Sequence, residues 1–173
     1  MANTFIKIST ITVGSGGAAS IDFTSIPATY TDLLIKVSGR STSGGGDLGV
    51  TFNGSGGTAY SSQILYGSGS GAASTSQTGQ AAHSWAGGPI NPSTSGASIF
   101  ANSEIYIPNY TSANYKSSST DGVAEDNATG AYSFLVASLW ASTSAINQVT
   151  LTPSSSGNFV QYSSATLYGI KSS

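Results

Sequence analysis

The sequence predicts an all-β domain, and three observations carry that prediction. Short segments alternate apolar and polar or small side chains with a period of two, as in Leu48-Gly49-Val50-Thr51-Phe52. Clusters of Gly, Ser, Asn and Pro separate them, among them Gly14-Ser15-Gly16-Gly17, Ser43-Gly44-Gly45-Gly46 and Ser154-Ser155-Ser156-Gly157-Asn158, and these supply turn chemistry. No long stretch places apolar residues at helical spacing, and strong helix formers are scarce.

Taken in order, the predicted strands begin with Phe5 to Val13, Ser20 to Phe23 and Leu33 to Arg40. Leu48 to Phe52 follows, with Leu48, Val50 and Phe52 on one face, and then Tyr60 to Tyr66. In the next segment Ile99, Ala101, Ser103, Ile105 and Ile107 oppose Phe100, Asn102, Glu104 and Tyr106. Tyr115 to Asp121 comes next. From Phe134 to Trp140 both faces are apolar, because Leu135, Ala137 and Leu139 oppose Phe134, Val136 and Trp140; that pattern predicts a central strand covered on both sides. Gln148 to Thr152 and Ala165 to Lys171 complete the set. The prolines, Pro27, Pro89, Pro92, Pro108 and Pro153, fall at segment ends or between segments, where no ladder hydrogen bond is lost. Many short strands with Gly-rich turns leave a sandwich, a jelly roll or a barrel open.

Two stretches lack this pattern. Residues 67–98 hold few large apolar side chains apart from Trp85 and Ile90, which predicts one long weak-core loop with at most a short strand near Ala82 to Trp85. Residues 121–130 read as a loop containing Asp121, Glu125 and Asp126. No fixed-period repeat or linker divides the chain, so residues 1–173 are expected to form a single domain.

Composition excludes several functions. The 173 residues carry only 7% charged side chains, where an ordinary domain has about a quarter, and Ser and Thr fill nearly a third of the chain. Five basic residues and a net charge of −2 cannot neutralise many phosphates, so no nucleic-acid partner is expected. No apolar run is long enough for a membrane span. The absence of Cys removes disulfides, thiolate nucleophiles and zinc–thiolate sites. The start, Met1-Ala2-Asn3-Thr4-Phe5, has no basic region leading into an apolar run, so no secretory signal is expected. A composition this rich in Gly and Ser also suggests disorder, but disorder couples low hydrophobicity to high net charge, and the charge here is close to nil.

No catalytic constellation emerges. His83 is the only imidazole, it lies in Ala81-Ala82-His83-Ser84-Trp85 with no nucleophile elbow, and a surface or hydrogen-bonding role is its plainer account. Asp121, Glu125 and Asp126 offer oxygens for Ca²⁺, but their spacing is not that of an EF-hand, and a solvated acidic loop is the plainer account. The same acids are not held at the fixed separation that glycoside hydrolysis needs. Gly14-x-Gly16-x-x-Ala19, Gly54-x-Gly56-x-x-Ala59 and Gly67-x-Gly69-x-x-Ala72 match a loose dinucleotide fingerprint without opening a helix, as Gly-rich composition alone would produce. Neither an enzyme nor a cofactor is expected. Tyr106, Tyr110 and Tyr115 suit either core corners or contact with a sugar or protein.

At Ile21-Asp22-Phe23-Thr24-Ser25-Ile26-Pro27-Ala28-Thr29-Tyr30-Thr31-Asp32-Leu33 the chain resembles small virion proteins of tailed bacteriophages, cyanophages and other aquatic phages especially. The similarity continues through Phe52-Asn53-Gly54, Ile105 to Tyr110, Leu139-Trp140-x-Ser142-Thr143-x-Ala145-Ile146 and Thr166 to Ile170, in the same order. The resemblance implies a single jelly-roll-like antiparallel β-sandwich with long Gly/Ser-rich loops. It implies a place on the virion, after synthesis in the host cytoplasm, as a capsid decoration (cement) protein or as a fibre or receptor-binding head that contacts host glycans. The chain shows no attachment region or shaft of its own, which favours cement: a module bound to the major capsid protein, as a homotrimer by the habit of such proteins. For contact with the capsid the choices are an arm at residues 1–8 with Phe5 and Ile6, then residues 68–98 with Trp85, and the exposed-type aromatics Tyr110 and Tyr115. A core position for Phe5 is equally compatible with the pattern.

Overall fold

The computed structural model describes residues 4–43, 46–83, 85–127, 131–154 and 156–171. Among the described residues there is no helix, and eleven strands form two antiparallel sheets. They are β1 (Phe5–Thr12), β2 (Ile21–Phe23), β3 (Asp32–Gly39), β4 (Leu48–Phe52), β5 (Tyr60–Ser68), β6 (Gly71–Gln80), β7 (Ala101–Ile107), β8 (Lys116–Ala124), β9 (Tyr132–Trp140), β10 (Val149–Pro153) and β11 (Ser164–Ile170). The large sheet runs β1-β11-β3-β7-β8-β9-β5-β6 and the small one β2-β10-β4. The two share one core, so the chain is an all-β sandwich with its strands divided eight to three.

The core follows from the alternation. β3 contributes Leu33, Ile35 and Val37, β7 contributes Ile105 and Ile107, and β11 contributes Ala165 and Leu167. Facing them are Ile21 and Phe23 of β2, Leu48, Val50 and Phe52 of β4, and Val149 and Leu151 of β10. With so few aliphatic residues available, rings complete the packing: Phe52 lies 5.5 Å from Trp140, and Tyr60 stacks on Trp140 at 6.3 Å and 16°.

All ten expected segments are strands, and three expectations need correction, the first being the loop at residues 121–130, whose residues 121–124 continue β8 with alternate side chains buried. Residues 67–98 are not one loop, because β6 occupies 71–80 and pairs with β5 from Ser62↔Gln77 to Ser68↔Gly71. Gly-Ala-Ala-Ser-Thr-Ser-Gln-Thr-Gly-Gln has no large side chain to mark a face, so a backbone ladder at a sheet edge leaves no hydrophobic period to read. β9 is central in hydrogen-bonding order, between β8 and β5, but only one of its faces is covered. Leu135 and Leu139 are 57% and 38% exposed, since the three-stranded sheet lies against one side of the large sheet only.

After β6 the chain returns beside β4 and lengthens the small sheet raggedly. Val50 and His83 exchange both backbone hydrogen bonds (3.0 and 2.9 Å), Gly87 N–H donates to Leu48 C=O (2.8 Å), and Leu48 N–H donates to Gly88 C=O (3.0 Å). This segment also lies tightly on β7 and β8, and the Thr120 hydroxyl donates to Ala86 C=O. Gly88 has φ of 82°, and a Cβ there would sit 2.5 Å from Ser103 Oγ. Gly122, in the middle of β8, leaves room for Pro89; a Cβ would meet Pro89 Cδ at 2.7 Å.

The stretches that carry the resemblance interlock as scaffold. The Asp32 carboxylate accepts from Tyr106 O–H and Asn109 N–H, both at 2.8 Å. The Tyr110 hydroxyl donates to Pro27 C=O and accepts from Tyr30 N–H. Ile146 N–H donates to Tyr110 C=O (2.9 Å), and Thr31 N–H donates to Ile170 C=O (2.8 Å). Asn53, at φ of 53°, accepts from Asn147 and Gln148 N–H and donates to Ala145 C=O. These motif side chains therefore fix corners of the sandwich.

Candidate functional site

The sequence-selected residues separate sharply once folded. Tyr110 is fully buried in the core and offers no contact surface, which corrects the expectation for it. Its hydroxyl is spent on the corner described above, so the ring sits inside with its polar atom satisfied. Phe5 and Tyr115 are exposed at 57% and 59%, and Ile6 is half-buried opposite Gly169. Phe5 to Ile8 form the first half of β1, laddered to β11, rather than a free arm; residues 1–3 of that expected arm lie outside the described residues. Trp85 is half-buried against Phe134 and lines a cavity.

His83 is no surface residue. It is 1% exposed, with its ring edge-on to Tyr60 (4.5 Å) and Phe52 (5.7 Å), and neither ring nitrogen has a hydrogen-bond partner among the described residues. Burial lowers its pKa from 6.5 to about 4, so it is a neutral core ring at neutral pH. The acidic trio does not converge. Asp121 is exposed on β8, on the face opposite the core and opposite Glu104 of β7, whereas Asp126 lines the cavity on the core side. Glu125 accepts from Asn127 N–H at 2.7 Å. Among the described residues no group of three His, Cys, Asp or Glu side chains can hold a metal ion.

The few cations are mostly committed internally. The Arg40 guanidinium donates to the carbonyls of Ser93, Ser95, Gly96 and Ile99, the shortest at 2.8 Å, and so shapes the 93–99 loop. Lys116 is buried, donates to the carbonyls of Asn114 and Ser142, and has its pKa lowered by desolvation. Lys36 pairs with Glu104 at 2.9 Å on the exposed face, and Lys171 lies over the Tyr30 ring at 5.6 Å. No basic patch is left by these four.

Two features are available to a partner. The first is the open face of the large sheet. One row in register crosses all eight strands: Thr10, Thr166, Lys36, Glu104, Asp121, Leu135, Leu65 and Ser74. Leu65, Leu135, Leu139, Val123 and Tyr106 are all exposed here among Ser, Thr, Ala and Gln side chains such as Ser119, Ala137 and Gln63. Leu135 and Leu139 were visible in the alternation but were assigned to an interior; Leu65 and Val123 carried no signal of their own.

The second feature is a cavity of about 420 Å³ where the small sheet stops short of β5 and β9. Trp85 stacks on Phe134 at 5.3 Å and 23°, and Tyr66 and Tyr132 pack around Phe134 at 6.0 Å. Asp47, Asn91, Thr94, Ser95 and Asp126 supply the polar lining. Asn91 is buried and donates to Glu125 C=O at 3.2 Å. Burial raises the Asp47 carboxyl from 3.8 to about 6, and no described residue hydrogen-bonds to it. The sequence singled out Trp85 but not this setting, because Asp47, Tyr66, Trp85 and Phe134 come from four separate segments. No family model, curated protein or solved structure matches the chain.

Proposed function

We propose that the protein is a structural virion protein that decorates the capsid, bound by the open face of its eight-stranded sheet to the major capsid protein. The observation that carries this reading is the exposed group of Leu65, Leu135, Leu139, Val123 and Tyr106 among hydroxyls on one uncovered face. Eight strands at about 4.8 Å spacing and about seven residues at 3.3 Å give a face on the order of 800 Å², the area each partner contributes to a standard interface. Scattered single apolar residues are ordinary on a surface; a group on one face of one sheet, with no layer over it, fits a protein partner.

The mechanism is clamping by mass action. Each bound copy bridges neighbouring capsomers, and its binding free energy adds to the work of separating them. The half of the face around Leu65, Leu135 and Leu139 carries hydroxyls and apolar groups, and the charges Lys36, Glu104 and Asp121 lie toward the other half. Binding therefore depends mainly on shape, hydroxyl hydrogen bonds and apolar burial, and falls only modestly with ionic strength. The homotrimeric arrangement belongs to the same proposal and is carried by the resemblance alone. Quantitative mass spectrometry of purified virions tests the reading. Hundreds of copies per particle, with heads that break at lower temperature when the protein is removed, support it. A handful of copies near the tail overturns it in favour of a fibre or receptor-binding head.

A further inference from the structure

The cavity beside Trp85 has the composition of a ligand site and no part in the sheet face described above. We propose that it is a binding subsite for one neutral pyranose ring of a glycan, with Trp85 as the stacking platform and Asp47 and Asn91 as hydroxyl partners. Its volume of about 420 Å³ lies in the range of small-ligand sites. Trp85 and Phe134 lie nearly parallel at 23°, and Tyr66 and Tyr132 stand edge-on to Phe134 at 69° and 67° beside them. The Trp85–Phe134 stack offers the kind of flat apolar ring that packs on the C–H face of a sugar.

The polar side completes the match. The half-buried Asp47 carboxylate opens on the cavity without a hydrogen-bond partner among the described residues, free to accept from two sugar hydroxyls. Thr94 and Ser95 add hydroxyls, and no Lys or Arg lines the cavity to attract an anionic sugar. The site is also held in shape before any ligand arrives. Trp85 has the left-handed φ of 73°, rare for a bulky residue, and is fixed by the turn in which Gly88 N–H donates to Trp85 C=O at 2.9 Å. Arg40 holds the loop that carries Thr94 and Ser95 through four carbonyls. Preorganisation of this kind lowers the cost of binding.

The inference does not rest on a capsid location, and its test is separate. The full chain, labelled with ¹⁵N, is titrated with the methyl glycosides of glucose, galactose, mannose and N-acetylglucosamine, with choline and methyl glucuronide as comparison ligands. The expected result is a saturable shift of the Trp85 indole resonance by at least one neutral glycoside, with Kd in the millimolar range. The Trp140 indole, buried in the core and directed at Ser55 Oγ, stays unmoved. Asp47→Ala weakens that binding by about tenfold or more, and Trp85→Ala abolishes it. Should Trp85→Ala fail to fold, Asp47→Ala and Thr94→Ala carry the test, because neither side chain is part of the packed core. The proposal is overturned if no neutral glycoside shifts Trp85 up to about 50 mM, if choline or the glucuronide binds in its place, or if Asp47→Ala leaves the affinity unchanged.

Discussion

Asp47→Asn should make the protein more stable at neutral pH and more sensitive to acid, because a buried histidine and a half-buried carboxyl titrate in opposition. His83 has its pKa lowered to about 4 in the folded chain against 6.5 when solvated. Between those values the unfolded chain binds the proton and the folded chain does not, so stability falls as pH drops from 6.5 to 4. At 1.36 kcal/mol per pKa unit the loss is about 3 kcal/mol. Asp47 acts in the other sense. Its folded pKa of about 6 exceeds the 3.8 of the free group, so the folded chain binds the proton first and stability rises as pH falls through that window. Discounted for the solvent that reaches Asp47 through the cavity, the gain is about 2 kcal/mol. The wild-type protein should therefore lose only about 1 kcal/mol from this pair between pH 6.5 and 4, and Asp47→Asn about 3 kcal/mol. His83→Leu should show the reverse slope. Urea unfolding followed by circular dichroism at pH 7, 5.5 and 4.5 measures this, and the remaining carboxylates cancel in the comparison of variants. Identical pH profiles for wild type and Asp47→Asn would refute the reasoning.

Three other substitutions test the scaffold. Gly122→Ala places a methyl group against Pro89 and Ser103 and should cost about 1–3 kcal/mol in urea unfolding, with an unchanged m-value. Tyr110→Phe leaves Pro27 C=O and Tyr30 N–H without their partner and should cost about 1–3 kcal/mol by the same measurement. Arg40→Met removes the donor to four loop carbonyls; amide exchange should accelerate across residues 93–99 while β7 and β8 keep their protection.

Ten of the eleven strands could be read from alternation because burial on one face of a sheet imposes a period of two on the sequence. β6 could not, since it is an edge strand held by backbone hydrogen bonds to β5 and buries almost no side chain. The apolar double face of β9 was legible and its meaning was not: Leu135 and Leu139 report hydrophobicity, but whether a layer covers them depends on how many strands the opposing sheet contains. The same limit applies to Tyr110 and His83. Their chemistry suits a surface, and the shortage of large aliphatic residues made them part of the interior. The cavity was the least legible feature, because Asp47, Asn91, Trp85 and Phe134 are adjacent only after β4, the 83–91 segment and β9 have been brought together.

By itself, then, the sequence determined the class: strand periodicity, Gly and Ser turns and prolines at segment ends admit a β fold and exclude a helical one. It also determined what the protein lacks, namely Cys and any dense charge. The tertiary structure alone decided which apolar residues are core and which are surface. Pairing eight strands in one sheet and three in the other leaves one face of the large sheet open and one part of its inner face uncovered. The physical reason is that periodicity records how a strand is pleated, a local property, whereas coverage depends on the width of the opposing layer. The open face and the cavity both come from that mismatch in width.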